Sequence, residues 1–376
     1  MRRNDLSIGL VTFPIEKSGV VPLNNLLTTL LETIGGDIYL ISGNRADQLN
    51  IKNSRVRVRH LCHQKGGNLV SRLKNYLVTQ IAIAHNMLLL RRNINVWYFY
   101  FGGELLVLPL VIGKITRKSV LLHLPNSCVN DAKAKGSRLY PIIRSASEFS
   151  FHIADKLIVA SEGMKYTFGL NKYLDKVRIT NEYYVDSVNF MRITDIGERS
   201  NNVGFVGRLS EEKGILNFIH SIPLILDQSP DLTFFIGGDG PLYDNVYEYI
   251  AEHDLADKVI LSGWIDHEDL PKYLNTLKLL VIPSYSEAGP IIAYEAMACG
   301  TAVVGTRVGC VLMNLEDRVS GYLLRDNSPE CIAANVIQAL NSPNLEQIAE
   351  NGRQFVGGNF TFEATVARWK KVFEEI

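Results

Sequence analysis

No two cysteines stand at C-x-x-C spacing; the five, Cys62, Cys128, Cys299, Cys310 and Cys331, are scattered and odd in number. That argues against a zinc or redox motif and leaves free, mostly buried thiols in a reducing compartment as the expectation. No apolar run reaches the roughly 18 residues of a membrane span. The best candidate, Leu105–Ile112, is short and contains Pro109. The opening residues hold two arginines but no long apolar core and no small-residue cleavage site. Leu6–Phe13 therefore reads as a first strand rather than a signal peptide, and a cytoplasmic location is the expectation. A basic low-complexity tail is missing, as is any recognisable nucleic-acid motif, so a nucleic-acid partner is not expected.

Net charge is missing too, with 39 basic and 39 acidic residues, but the two halves differ. Residues 1–180 carry 25 Lys and Arg against 11 Asp and Glu, a balance of +14, and the remainder carries −14. Such asymmetry points to an anionic surface or partner for the first half. At 376 residues the chain is long enough for about two domains, and 47% hydrophobic with 21% charged residues suits an ordinary globular protein.

Short apolar runs alternate with helical patterns throughout. Strands are predicted at Ser7–Phe13, Asp37–Ser42, Val96–Phe101, Ser119–His123 and Lys156–Ala160. In the second half they fall at Asn202–Val206, Leu232–Ile236, Val259–Ser262, Leu279–Pro283 and Thr301–Gly305. Helices are predicted at Pro22–Thr33, Ser71–Arg92, Gly214–Leu226, Leu242–Glu252, Glu268–Asn275 and Pro290–Cys299. This alternation implies parallel sheets with right-handed crossovers. The fold class is therefore α/β, with two Rossmann-like doubly wound domains facing each other across a cleft. Residues 1–180 form the first domain, the polar stretch 181–201 a linker, and 202–359 the second domain. An amphipathic helix at 360–376, entered at Thr361, packs back on the first domain. Ligands of such sheets bind outside the carboxyl ends of the strands.

Three stretches of the second half fall at predicted strand ends. SYSEAGPIIAYEAMACG, Ser284–Gly300, reads as strand end, loop, helix and stop, with Pro290 in the first helical turn and Gly300 after the last. The helix start favours an anion such as phosphate. Glu287 and Glu295 flank that start, and a carboxylate can accept from both hydroxyls of a vicinal diol. Two such groups around a phosphate site outline a nucleotide sugar. GFVGRLSEEKGI places Arg208 and Lys213 after a strand, a fork and a point charge suited to a diphosphate. FFIGGDGPL puts Gly238 in a glycine-rich turn. Plainer readings stay open for each stretch: a solvated loop acid, surface ion pairs and a tight turn.

In order, VGFVGRLSEEKGI, DLTFFIGGDGPL, VILSGW, LLVIPSYSEAGPIIAYEAMACGTAVVGTRVG and GYLL resemble the donor domain of the retaining glycosyltransferases of family four, which have the GT-B fold. The resemblance spans about Gly204–Leu324, and ITNEYYVD at Ile179–Asp186 is similar to the family's linker. It implies that Arg208 and Lys213 hold the donor diphosphate, Glu295 the ribose hydroxyls and Glu287 the transferred sugar. It also places the backbone of Ala288 and Gly289 near sugar or phosphate, with Trp264 by the nucleobase. In the first half, Gly19 matches a glycine of the loop after the first strand, and His123 matches a histidine near the sugar. The sequence departs from the family pattern at Val20 after Gly19, at Pro290 and at Cys310. No Asp-x-Asp metal box stands among these motifs, so no metal or other cofactor is expected. The implied activity is retaining transfer from a nucleotide sugar to a saccharide or lipid-linked acceptor, in cell-surface polysaccharide or glycolipid assembly. Leu69–Arg92, apolar with basic ends, suggests peripheral attachment to an anionic membrane surface. A nucleotide-sugar epimerase of the same architecture and a non-catalytic nucleotide-sugar-binding protein remain as alternatives.

Overall fold

The structure, a computed structural model, describes residues 6–15, 19–49, 53–64, 66–134, 136–180, 183–200, 202–285, 291–309 and 315–376. Two compact units divide the chain: Met1–Tyr183 with Thr365–Ile376, and Tyr184–Ala364.

The first unit is built on seven parallel strands, β1 (Ile8–Thr12), β2 (Ile38–Gly43), β3 (Val56–Leu61), β4 (Val96–Tyr100), β5 (Ser119–His123), β6 (Lys156–Val159) and β7 (Val177–Ile179). Their order is β3-β2-β1-β4-β5-β6-β7. The central strands, IGLVT and VWYFY, are buried at every position, as suits a parallel sheet covered on both faces. Its helices are α1 (Val20–Thr33), α2 (Leu69–Leu90), α3 (Val107–Ile115), α4 (Cys128–Ala134), α5 (Tyr140–Ile153) and α6 (Glu162–Thr167). Leu23, Leu26, Leu27, Leu30 and Leu31 form the buried stripe of α1, at helical spacing. Crossovers from the sheet centre run toward β3 on one side and toward β7 on the other. A right-handed turn then lays α1 on one face and α2, α3 and α5 on the opposite face. On that second face α2 packs against α3, and α3 against α5.

The second unit repeats the plan with β8 (Asn202–Val206), β9 (Thr233–Gly237), β10 (Val259–Gly263), β11 (Leu279–Ile282), β12 (Ala302–Thr306) and β13 (Tyr322–Leu324). The order is β10-β9-β8-β11-β12-β13, and the strand order turns back between β8 and β11. Its helices are α7 (Ile215–Leu226), α8 (Tyr243–Glu252), α9 (Leu270–Leu274), α10 (Ile291–Ala298), α11 (Pro329–Leu340) and α12 (Leu345–Asn359). The last helix, α13 (Phe362–Glu374), is entered at Thr361, whose hydroxyl accepts from Ala364 N–H at 3.2 Å. Its Trp369 and Val372 are buried in the first unit's core beside Leu10, Leu26 and Tyr98.

Two expectations need correcting. The stretch expected as a linker belongs, from Tyr184 onward, to the second unit. Val185, Phe190, Ile196 and Arg199 are all buried there, which a free connector would not allow. The cysteines are not a mostly buried set either. Cys299 is buried, but Cys62 is exposed where it follows the sheet-edge strand β3, and Cys310 lies outside the described residues.

Candidate functional site

The loops that follow β8, β9 and β10 interlock through their backbones. Gly207 N–H donates to Gly237 O at 2.9 Å, Gly238 N–H to Gly263 O at 2.7 Å, and Leu209 N–H to Asp239 O at 3.0 Å. Glycine at 238 is a steric requirement: φ is +135°, and a Cβ would stand 1.9 Å from Gly207 O. Together the loops bound a recess of about 410 Å³ lined by Arg208, Gly238, Gly240, Trp264 and Ile265, among others. Trp264 is 76% exposed, and its indole Nε1 donates to Asp266 Oδ1 at 3.1 Å, which pins the ring by its edge. Arg208, Gly238 and Trp264, chosen from three separate motifs, thus meet around one recess.

Lys213 is half-buried at the end of the single turn Glu211–Lys213, beyond the recess lining. Gly214 closes that turn at φ +72°, with no room for a Cβ, which would stand 2.1 Å from Pro283 O. Tyr285 N–H donates to Glu212 O at 2.9 Å, and Asn217 Nδ2 to the Tyr285 hydroxyl at 2.9 Å. The turn bearing Lys213 is therefore fastened to the chain just after β11. Glu287, Ala288, Gly289 and Pro290 lie outside the described residues.

Glu295 projects from α10 and is 6% exposed. Its Oε1 accepts from His267 Nε2 at 2.6 Å, and the imidazole also packs on the Phe190 ring at 5.1 Å. The bond to Glu295 raises the His267 pKa above its ordinary 6.5, against the opposing effect of burial. His267 stands three residues after Trp264, so Glu295 connects to the β10 loop through it.

Arg199 secures the same region from behind. Its guanidinium donates to the carbonyls of Leu277 at 2.7 Å, Cys299 at 2.6 Å and Thr194 at 2.8 Å, and to Thr301 Oγ1 at 2.8 Å. Burial lowers its pKa to about 10. The bond to Cys299 O, and a longer one to Leu274 O at 3.4 Å, satisfy carbonyls at the ends of α10 and α9, where helices leave orphan acceptors. Neither His267 nor Arg199 was picked out from the sequence. The histidine had a signal, since it lies in GWIDHEDL directly after a strand end. Arg199 had none, because the charged stretch around it resembles a solvated connector.

In the first unit, Gly19 is the buried residue preceding α1, at φ −87°. A Cβ there would make ordinary contacts, 3.4 Å from Ile15 and 3.5 Å from Phe101, so packing alone does not demand glycine. His123 ends β5 and is 1% exposed. Its Nδ1 lies 2.7 Å from the Tyr98 hydroxyl, and its ring packs on Tyr100 at 4.9 Å and Trp369 at 5.8 Å. Burial pushes its pKa down to about 3, so the imidazole is neutral at ordinary pH. Among the described residues, no group of three or more His, Cys, Asp or Glu side chains is placed to hold a metal ion.

Residues 186–355 match the model of the glycosyl transferases group 1 family. An uncharacterised glycosyltransferase of Methanocaldococcus jannaschii is 30% identical over 173 residues, 46% of this chain and 47% of that protein. The alpha-D-kanosaminyltransferase of Streptomyces kanamyceticus is 28% identical over 173 residues, 46% of this chain and 45% of its own. The chain thus spans about half the length of the curated relatives it matches. Among solved structures, Anabaena HepE in complex with UDP aligns over 99% of this chain and 100% of its own, with a TM-score of 0.78 at 15% identity. A likeness at that identity is one of fold. The chain therefore has the two-Rossmann GT-B fold, and its match to the glycosyl transferases group 1 model falls within the second unit.

Proposed function

We propose that the protein is a retaining glycosyltransferase, which moves a sugar from a nucleoside-diphosphate sugar to an acceptor hydroxyl without a metal. We place it in cell-surface polysaccharide or glycolipid assembly, in the cytoplasm and peripherally on the inner face of the membrane. The observation that carries the reading is the preformed recess of the second unit, where the Arg208 fork and the exposed Trp264 ring face the same space. A guanidinium suits a diphosphate, and an indole suits a base. The second unit is thus assigned the donor and the first unit the acceptor.

In this reading Glu295 holds the ribose hydroxyls, and Glu287 contacts the transferred sugar. The backbone of Ala288 and Gly289, before Pro290, faces sugar or phosphate. Gly19 and His123 serve the sugar from the first unit. The role of His123 rests on the resemblance; its imidazole is 1% exposed and neutral near pH 7, so it is not an exposed acid or base. As the bond from the anomeric carbon to the diphosphate oxygen breaks, negative charge grows on the leaving group. Arg208 and Lys213 meet that charge as preorganised electrostatic stabilisation. The acceptor oxygen bonds to the anomeric carbon on the face that the diphosphate leaves, and the acceptor proton passes to a leaving phosphate oxygen.

The Anabaena protein, crystallised with UDP and with UDP-glucose, makes UDP-sugars the first donors to test. The experiment is product analysis by NMR after incubation with donors and a panel of saccharide and lipid-linked acceptors. A new glycosidic bond with the donor's anomeric configuration supports the reading. An altered donor sugar without acceptor identifies an epimerase. Inversion, or tight binding with no turnover on any acceptor, overturns the assignment.

A further inference from the structure

The α2–α3–α5 layer of the first unit has an outer surface of a kind that water does not favour. On α2, the side chains of Val70, Leu73, Leu77, Val78, Ile81, Leu88 and Leu89 are all exposed, Val70 to 78% and Ile81 to 60%. At 100° per residue they fall within an arc of about 160°. Capping by Asn68, whose side chain accepts from Ser71 N–H at 2.8 Å, starts the helix, and the opposite stripe, with Ile83 and Met87, is buried on the unit. Exposed Ile115 on α3 and Ile142 and Phe149 on α5 extend the surface across the layer. Single exposed apolar residues are ordinary, but a continuous apolar face marks a contact surface.

The charge on this surface selects its occupant. Lys74 projects from the same exposed arc, exposed Arg92 follows the helix, α2 contains no acidic residue, and the exposed Glu148 of α5 is paired with Arg144 at 2.9 Å. Exposed Arg91 and Arg117 follow α2 and α3, at helix ends on one edge of the layer, because both helices run antiparallel to the strands. A two-fold contact with a second copy would set these cations against their own counterparts, which is unfavourable. A surface of anionic headgroups over hydrocarbon satisfies both kinds of side chain. Apolar groups enter the acyl boundary while Lys and Arg reach to the phosphates. No helix among the described residues is long and apolar enough to cross a membrane, so α2 would lie along the interface.

We propose that the outer face of α2, with its neighbours on α3 and α5, docks the protein on an anionic phospholipid bilayer. The inference identifies the surface behind the peripheral location proposed above, and it does not depend on glycosyl transfer.

The test uses the full chain in co-sedimentation with vesicles of phosphatidylcholine alone and of phosphatidylcholine mixed with phosphatidylglycerol. Binding to the anionic vesicles at low salt, reduced at high salt, is the expected result. Leu77→Glu with Ile81→Glu, and separately Lys74→Glu with Arg92→Glu, should each weaken binding by about tenfold or more. All four positions are exposed, so the urea midpoint should not move, and that is checked in parallel. Failure to bind anionic vesicles at low salt, or variants that bind like the wild type, would overturn the inference. So would a sedimentation-velocity dimer that Leu77→Glu with Ile81→Glu dissolves, since a second copy would then own the face. Nucleotide binding is recorded on the same samples, so loss of one reading is separable from loss of the other.

Discussion

Mild acid should destabilise the first unit through His123. Its folded pKa of about 3 lies far below the ordinary 6.5, and the cause is burial among Tyr98, Tyr100 and Trp369. A base held neutral in the fold binds its proton only on unfolding. Its contribution is therefore complete above pH 6.5 and is lost as pH falls from there toward 3. Between pH 7.5 and 5.5 the loss is about 1.4 kcal/mol, and at pH 4.5 it is about 2.7 kcal/mol. The first figure barely depends on the folded value, provided that value stays below about 4.5. Urea unfolding read by tryptophan fluorescence measures it. In a Trp264→Phe background, Trp97 and Trp369 remain, both fully buried in the first unit, so the signal reports that unit alone. Replacing His123 with Asn removes the titrating group and should flatten the pH dependence by that amount, whatever it does to absolute stability. Equal slopes for the histidine and asparagine forms would refute the reasoning, and the imidazole would have to be reachable by water in the folded state.

Gly238→Ala should cost more than about 1 kcal/mol, because its φ and the Gly207 carbonyl leave no place for a methyl group, and nucleotide affinity should fall with it; calorimetry reads both. The His267–Glu295 pair gives a pH effect of the opposite sense. The raised His267 pKa means the pair is intact below about 6.5 and is lost as pH rises through the folded value. With the imidazole largely exposed, its stability contribution should be under about 1 kcal/mol. Nucleotide affinity should nevertheless rise over that window as Glu295 is released, and titration calorimetry of His267→Ala should show the rise gone. Trp369→Ala should cost about 3–5 kcal/mol in urea unfolding of the first unit, since it empties a fully buried site between α13 and the sheet.

The strands predicted from apolar runs all form, with ends within one residue of the structure. Central parallel strands are buried on both faces and carry the strongest signal a sequence can give. The three strands not foreseen had weak signals for physical reasons. In β3, VRVRHL alternates Val with Arg because it is an edge strand with one side to solvent, and such charges protect an open edge. The three-residue strands β7 and β13 are too short to show a period. In the candidate site, Arg208, Gly238 and Trp264 could be found because each follows a strand end. The bond between His267 and Glu295 joins residues of separate elements, a relation that only packing reveals. Arg199 is a charged residue inside a core, satisfied by carbonyls rather than by a carboxylate, and no local pattern announces that.

The proposed seat of the donor nucleotide in the recess of the second unit is tested most directly by calorimetric titration with UDP, GDP and ADP. One of the three should bind with unit stoichiometry. Arg208→Ala and Trp264→Ala, both at the recess lining, should each weaken that affinity by about tenfold or more, as loss of a charge-assisted hydrogen bond or of a stacking face requires. Folded protein that binds none of the three, or binds one of them equally well without Arg208 and Trp264, would contradict it.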